Sequence, residues 1–533
     1  MTSSIFFGEK LSTISDKTLK NLIIIAVLIN FAALFSPTLS SNDAYSYAVI
    51  SKNLLLGGSF TDLTFGGFDW LDKPHLPFWL TALSFKAFGL TTFSYMLPGF
   101  IFHLIGAFFT YKLAKEFFDE QIALLSALIY LTILRLALSA VDIRAEAFLQ
   151  AEIMAASYYF WLFYKYNGFK NLILAAFFSG LALMTKGIFT LVVICGGLVF
   201  VWAYKKEFKN FISLKWLFAL MLCFVFALPE FVALYLQFDA QPQKVVFGTQ
   251  NVSGVKWFFW DSQFGRFFNT GPIKNDAGNP LFFVHTFLWA FLPWTLIFFY
   301  SIYQSFKNRK ALSADTKEKF VFLFGSFLPA FIMFSATKFQ LDHYTNIVFP
   351  YLAIFCAYSI VKFSGMHKTQ TILAYILIAF VFAISSYLGL FVYAVATILI
   401  FTLIFWHQFA NVELRFITIS IFASCYAIIC AAIINGALYS KYNAGEYINE
   451  FLKDKPSYPI YGYKTYSFAL EFAYQKPHLQ YQNMLEIDGL PKPYYLLIDK
   501  KYLSDLKQPY IKIGEFTQIR QDRFIRAMFK KDD

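Results

Sequence analysis

Apolar runs of about twenty residues recur along most of this chain, and short polar knots separate them. Each run is long enough to cross a hydrocarbon layer about 30 Å thick as a helix. The runs are continuous and do not alternate, which excludes a β-barrel and leaves a bundle of spanning helices. The pattern predicts about thirteen crossings. They lie at about 20–38, 94–114, 120–138, 146–164, two runs ending near Met184 and Lys205, 213–237, 281–304, a run ending near Ala336, about 346–362, 370–386, 388–406 and 415–437. A shorter run at about 76–90 is interrupted by Lys86 and Gly89 and reads as a helix lying along the membrane surface.

With this count, the basic clusters at 112–115, 165–170, 205–215, 307–319 and 362–368 fall on one side. Lysine and arginine mark the cytoplasmic side. The knots at 40–77, 139–146, Lys186, 238–280 and 337–345 then face outward. Letting 76–90 span would invert every later loop and break the rule. Lys10, Lys17 and Lys20 precede the first run, which is long for a signal peptide and has no small-x-small site after it, so an uncleaved first helix is expected.

After about residue 440 the apolar runs shorten. Strands are expected at Tyr458–Tyr461 and Tyr494–Ile498, with a helix at Ser467–Tyr474. The expected fold is therefore an all-α polytopic membrane protein with a small C-terminal α/β unit. The transmembrane unit covers residues 1–440, with a first outer loop at 39–93 and a long outer loop at 238–280. Residues 441–533 form the extracytoplasmic unit.

Composition agrees. Of 533 residues, 58% are hydrophobic and only 15% charged, against about 25% charged in soluble proteins. The net charge of +12 follows from cytoplasmic lysines, so no nucleic-acid partner is expected. The five cysteines all lie in apolar runs without CxxC spacing and read as inert packing. No Walker A, HExxH, GxSxG or Rossmann fingerprint occurs.

The chemistry concentrates in the outward knots. Asp43 follows the first span; it suits a base or cation holder, and it also suits a helix N-cap, as do Ser41 and Asn42. Lys73, in Asp72-Lys73-Pro74 with aromatic neighbours, suits a lipid phosphate or a snorkelling role. Asp142, Arg144 and Glu146 cluster at the mouth of the fourth span. Arg144 and Glu146 can pair, and Glu146 sits where an ionisable group is costly and functional by default. Lys186, Arg266, Lys338 and His343 add positive charge on the same face. Cations converging with carboxylates at membrane depth suit a phosphate-bearing lipid with a base beside it; a solvated rim is the plainer reading.

In this order and topology the residues resemble the GT-C glycosyltransferases, in particular the bacterial lipid A aminoarabinose transferases and protein O-mannosyltransferases. The resemblance rests on Asp43 after the first span, the Lys73-Pro74 pair, Arg144-x-Glu146, Thr185-Lys186-Gly187, Phe264-Gly265-Arg266-Phe267 and Thr337-Lys338, and it covers about residues 15–440. It implies a polyprenyl (undecaprenyl) phosphate sugar donor, a lipid or protein acceptor, and inversion by direct displacement at the periplasmic face of a bacterial inner membrane. It casts Asp43 as the base, with Asp142 and Glu146 as further acidic catalytic residues and Arg144 beside them. It casts Lys73, Lys186, Arg266 and Lys338 as phosphate ligands, and His343 and Tyr344 as lining the cavity. The family usually shows Asp-Glu where this chain has Asn42-Asp43. Some relatives carry a divalent metal; Asp72 matches one ligand, but Gln263 stands where a histidine is expected, and no cofactor is required. A flippase for an anionic lipid is the rival class, and a protein O-glycosyltransferase is the rival acceptor reading.

Overall fold

The computed structural model describes residues 14–39, 41–276, 278–363, 365–409, 414–442, 444–474, 478–519 and 523–531. Ser40, within the first polar knot, and Lys10 lie outside the described residues. The chain begins with α1 (Asp16–Ala32), then α2 (Asn42–Gly57), a two-stranded ribbon of β1 (Thr64–Phe65) and β2 (Phe68–Asp69), and α3 (Leu76–Phe88). Ser41 caps α2, its side chain accepting from the Ala44 amide. Of the three residues suited to capping, Ser41 therefore takes the role, and Asp43 keeps its carboxylate for other partners. The 76–90 run forms a helix of 13 residues, about 20 Å long and too short to cross upright.

Next come α4 (Thr92–Phe117), α5 (Glu120–Thr132), α6 (Leu134–Ser139), α7 (Ala145–Tyr166), α8 (Phe169–Lys186) and α9 (Thr190–Lys205). The run expected as one helix over 120–138 is two. The backbone turns extended at Ile133, and the Leu134 amide donates instead to the Leu292 carbonyl at 2.8 Å.

The run expected at 213–237 is α10 (Leu214–Phe226) and α11 (Leu228–Leu234), continued by a π-helical turn and bent by 46°. Pro229 stands at that break, where it removes a helix donor. The 238–280 loop carries the short α12 (Gly254–Lys256) and α13 (Phe264–Phe268). The run expected at 281–304 is likewise broken into α14 (Phe282–Ala290) and α15 (Thr295–Lys307), bent by 110° around Pro293. The remaining spans are α16 (Ala314–Ala336), α17 (Phe349–Lys362), α18 (His367–Tyr387), α19 (Phe391–Phe409) and α20 (Arg415–Tyr442).

All thirteen expected crossings appear as helical segments. Among the described residues, eight helices are long and apolar enough to span, and the two bent pairs bring the total to ten. Two more, α5 and α9, are apolar but shorter. The thirteenth, α7, is long enough at 22 residues but carries Glu146, Glu152 and Lys165.

Contacts between chain ends sort as the charge pattern requires. Lys165 and Lys205 meet Glu318, and Lys362 meets Asp119, at one end of the bundle. Every outward knot meets another at the opposite end, as described below.

The C-terminal unit opens with α21 (Ala444–Leu452). It holds a mixed five-stranded sheet in the order β4-β3-β5-β7-β6, built from β3 (Ile460–Tyr463), β4 (His478–Tyr481), β5 (Tyr494–Asp499), β6 (Ile511–Ile519) and β7 (Arg523–Lys531). Helices α22 (Phe468–Ala473) and α23 (Met484–Asp488) pack beside it. The expected helix is α22, capped by Ser467, and one expected strand is β5; the other lies two residues later, as β3. The antiparallel β6–β7 pair was not foreseen, because charged residues interrupt its alternation.

Close helix approach uses small residues, as expected inside a membrane. At Gly196 in α9 an added Cβ would lie 2.4 Å from the Gly325 carbonyl oxygen in α16. Gly196→Ala therefore destabilises the bundle by about 1–3 kcal/mol of overpacking. Gly57, by contrast, faces open space. Thermal melting in detergent by intrinsic fluorescence checks this: Gly196→Ala melts several degrees lower, and Gly57→Ala does not. Equal melting of Gly196→Ala and wild type would rule out this contact.

Candidate active site

Asp43 stands in the first turn of α2, where the helix dipole favours a carboxylate. Its side chain is 59% exposed and pairs with Arg144 Nη1 at 3.2 Å. Arg144 also meets Asp142 at 3.3 Å, and the Ser41 hydroxyl donates to Asp142 at 2.6 Å. The first knot and the mouth of α7 are thus joined through one guanidinium. Buried Tyr47, one turn further along α2, feels the same charges. Burial pushes its phenol up to about 12, Lys73 and Arg144 pull it down, and Asp43 pushes it up.

Arg144 donates from Nη1 to His343 Nδ1 at 3.0 Å. Burial, together with Arg144, Lys186 and Arg135, holds the His343 imidazole well below its ordinary pKa, against the opposing pull of Asp342. Its Nδ1 also lies 3.1 Å from Asp342 Oδ1, and its Nε2 faces Glu146 Oε1 at 3.8 Å. Glu146 is buried in the first turn of α7 and forms an ion pair with Lys186 at the end of α8. The Lys186 ammonium stands 4.3 Å from the centre of the Tyr344 ring, a cation–π arrangement. Asp342 pairs with Arg135 at 3.0 Å. Burial opposes its charge, but His343 and Arg135 outweigh that and hold the carboxyl low.

A second charged group lies on the other side of Lys186. Asp72 pairs with Lys73 at 2.7 Å and with Arg266. The Arg266 guanidinium stands 5.5 Å from the Phe339 ring centre. Lys73, Lys186 and Arg266 share one cavity of about 360 Å³. Its walls are otherwise mainly apolar and aromatic, and they include Tyr344, Trp257 and Phe334. Gly187 closes the turn after Lys186 with φ +111°, and a Cβ there would lie 2.5 Å from Gln263 Nε2. Only glycine suits both demands.

Lys338 is placed differently. Its side chain is exposed and does not line the cavity, although its neighbours Thr337 and Phe339 do. Its backbone amide donates to the Phe267 carbonyl at 3.0 Å, tying the 337–345 knot to the long loop. The candidate set otherwise assembles as two groups, one from Asp43 to Lys186 and one around Asp72, that meet at the shared cavity.

Three features escaped the sequence reading. Fully buried His75 sits against Glu230 at 3.1 Å through Nδ1, and its backbone amide donates to Glu230 at 2.9 Å. Glu152 is buried in α7 and takes the Thr185 hydroxyl at 2.9 Å. Arg135 is the partner of Asp342. Both glutamates are lone charges inside apolar runs, a signal that was available; Arg135 shows its meaning only through its partner. For a metal, the donor set does not fit: Asp72 is already held by two cations. Among the described residues no cluster of three or more His, Cys, Asp or Glu is arranged to hold one.

A family model described as dolichyl-phosphate-mannose-protein mannosyltransferase matches residues 72–232. ArnT from Cupriavidus metallidurans, solved bound to undecaprenyl phosphate, superposes with a TM-score of 0.76 at 16% identity, over 97% of this chain and 98% of that one. The chain has the GT-C fold. At that coverage the GT-C match extends into the C-terminal unit. An uncharacterized protein of Aquifex aeolicus (strain VF5) is 26% identical over 321 residues, 58% of this chain and 56% of its own. The undecaprenyl phosphate-alpha-4-amino-4-deoxy-L-arabinose arabinosyl transferase 2 of Proteus mirabilis (strain HI4320) is 24% identical over 311 residues, 57% of this chain and 52% of its own. The chain spans about half the length of the curated relatives it matches. This GT-C-fold chain is a multi-pass membrane protein that resembles glycosyltransferases of the aminoarabinose transferase type.

Two outcomes follow from the buried pairs. Lys186→Met strands Glu146 in an apolar site and costs on the order of 3–5 kcal/mol; Lys186→Met together with Glu146→Gln recovers most of it. Thermal melting of Lys186→Met and of the double variant measures this. The second outcome is pH-dependent. Burial lowers the His75 pKa, but Glu230, the Thr61 carbonyl and Asp62 raise it further, so it ends above its ordinary value. A raised folded-state pKa contributes stability that is complete below the unfolded value of about 6.5 and is lost as pH rises through the folded one. Wild type therefore loses more melting temperature than His75→Gln as pH is raised from 6 to 9. Parallel curves would contradict the charged pair.

Proposed function

We propose that the protein moves a sugar from a polyprenyl phosphate carrier to an envelope acceptor such as lipid A, at the outer face of a bacterial inner membrane. The observation that carries this reading is the apolar cavity lined also by Lys73, Lys186 and Arg266. A polyprenyl phosphate joins a greasy chain to an anionic head, and this cavity offers both matching surfaces. The carboxylates of Asp72 and Glu146 hold these cations now, and the phosphate would compete with them for the same donors.

In this mechanism the acceptor oxygen forms a bond to the anomeric carbon from the face opposite the phosphate. The bond from that carbon to the phosphate oxygen breaks, and its electrons leave with the polyprenyl phosphate. Lys73, Lys186 and Arg266 stabilise the departing charge. A hydroxyl acceptor gives its proton to Asp43, the most exposed carboxylate of the network, which Arg144 holds in place with Asp142 behind it. A phosphate acceptor has no proton to give, and Asp43 then only orients it. Glu146 pairs with Lys186 in its apolar setting, His343 and Tyr344 shape the wall, and Lys338 stands exposed beside it. No step runs through a metal.

Two observations favour other readings of the same site. The matching family model describes protein mannosyltransferases, which supports a protein acceptor. The two broken spans are a device that transporters also use, which supports a flippase.

Donor turnover in purified protein separates these readings. Asp43→Asn lowers the release of free polyprenyl phosphate by about 10²–10⁴ with a hydroxyl acceptor, and far less with a phosphate acceptor. Acceptor-dependent release with lipid A or with a peptide identifies the acceptor class. No release across a panel of donor sugars, with intact carrier lipid crossing between liposome leaflets, would replace the enzyme with the flippase.

A further inference from the structure

Lys52 is a buried lysine in α2 with no carboxylate at ion-pair distance among the described residues. Its ammonium donates instead to three backbone carbonyls at the end of α22: Glu471, Phe472 at 3.3 Å and Tyr474 at 2.9 Å. The last carbonyls of a helix have no partner within it, and a cation there also meets the negative end of the helix dipole. Three donors thus meet three acceptors. The next residue, Asn53, donates to the Glu471 carboxylate at 2.9 Å and to the Thr64 carbonyl at 3.1 Å. Tyr45 donates to Glu446 in α21. The Gln480 amide donates to the Gly66 carbonyl at 3.2 Å. The first outer loop is therefore gripped by the C-terminal unit at several points, with Lys52 supplying three of the bonds.

Burying an ammonium costs several kcal/mol before its contacts are counted, and an apolar side chain of similar length would fill the same space without that cost. What Lys52 adds is direction: carbonyls at a helix end accept from one place only. Helix geometry carries that direction to the site. Nine residues separate Lys52 from Asp43, about 14 Å along the axis and two and a half turns around it. They project from opposite faces of one rigid element, Asp43 toward Arg144 and Lys52 toward α22.

We infer that Lys52 is a positioning residue, which fastens α2 to the C-terminal unit and so sets where Asp43 stands against Arg144. The C-terminal unit then serves the site as a brace for the helix that carries Asp43. What Asp43 does rests on the transferase reading above; the fastening does not.

The test uses purified full-length protein and two readouts. Hydrogen–deuterium exchange of α2 peptides is read first, because it needs no known substrate. Lys52→Met raises exchange across Asn42–Gly57 at least tenfold and leaves α7 unchanged. Donor turnover is read second: kcat falls roughly tenfold to a hundredfold, as expected for a misplaced catalytic group, while KM for the donor stays within about twofold. The donor cavity lies among Lys73, Lys186 and Arg266 and does not include Lys52. Wild-type exchange in folded Lys52→Met overturns the inference. So does raised exchange with unchanged kcat. If Lys52→Met does not fold, Asn53→Ala is read by the same two criteria and decides in the same way. If wild type turns over no donor, the transferase reading fails, and the exchange result still decides the fastening.

Discussion

A charge at membrane depth must meet an opposite charge or a dipole, and this requirement organises the functional end of the bundle. Glu146 and Lys186 lie at the start of α7 and the end of α8, two helices that pack along each other, and both are buried. Neither could stay ionised there alone. Their pairing fixes the ends of two helices against each other, and the neighbouring groups follow from it. His343 fits among Arg144, Asp342 and Glu146, Tyr344 offers its ring to Lys186, and Asp342 also meets Arg135. Of the cations that face the cavity, Lys186 is balanced by Glu146, and Lys73 and Arg266 share Asp72. Such a site is prepared for an anion without storing an unpaired charge.

Helix breaks supply several of these groups. The chain leaves helical geometry at Ile133, near Ala227 and around Pro293. Arg135 follows the first break and Glu230 the second, each in the opening turn of a new helix. A continuous helix would hold these residues in a lipid- or core-facing register set by its neighbours. A break resets the register and frees backbone groups, which the structure uses, as when the Leu134 amide takes the Leu292 carbonyl. The first and third breaks touch each other through that bond. His75 then links the second break to the loop that holds Lys73 and Asp72.

Helix α2 ties the membrane part to the C-terminal unit. It is buried on most sides, polar Ser46, Ser51 and Lys52 included. One face meets the mouth of α7 through Asp43, and another meets α21 and α22 through Tyr45, Lys52 and Asn53. The outer loop that carries Asp43 and the folded C-terminal unit are therefore connected by side-chain contacts, not merely by chain order.

The sequence by itself determined where the thirteen apolar helical runs lie and how charge sorts between their ends. Both follow from local quantities: run length against bilayer thickness, and lysine counts beside each run. It also brought out Asp43, Lys73, Asp142, Arg144, Glu146, Lys186, Arg266 and His343, because polar residues beside apolar runs stand out without any partner being known. Only the tertiary structure decided how they pair. Glu146 lies two residues from Arg144 in sequence, yet its ion pair is with Lys186, because the α7 backbone turns Glu146 inward while Arg144 points to Asp43 and Asp142. Lys338 shares the composition of its neighbours but faces outward, since direction depends on a backbone that composition does not encode. Likewise the β6–β7 pair, the helix breaks and the Lys52 contacts rest on residues tens to hundreds of positions apart. Their stability comes from burial that exists only once the chain has closed on itself.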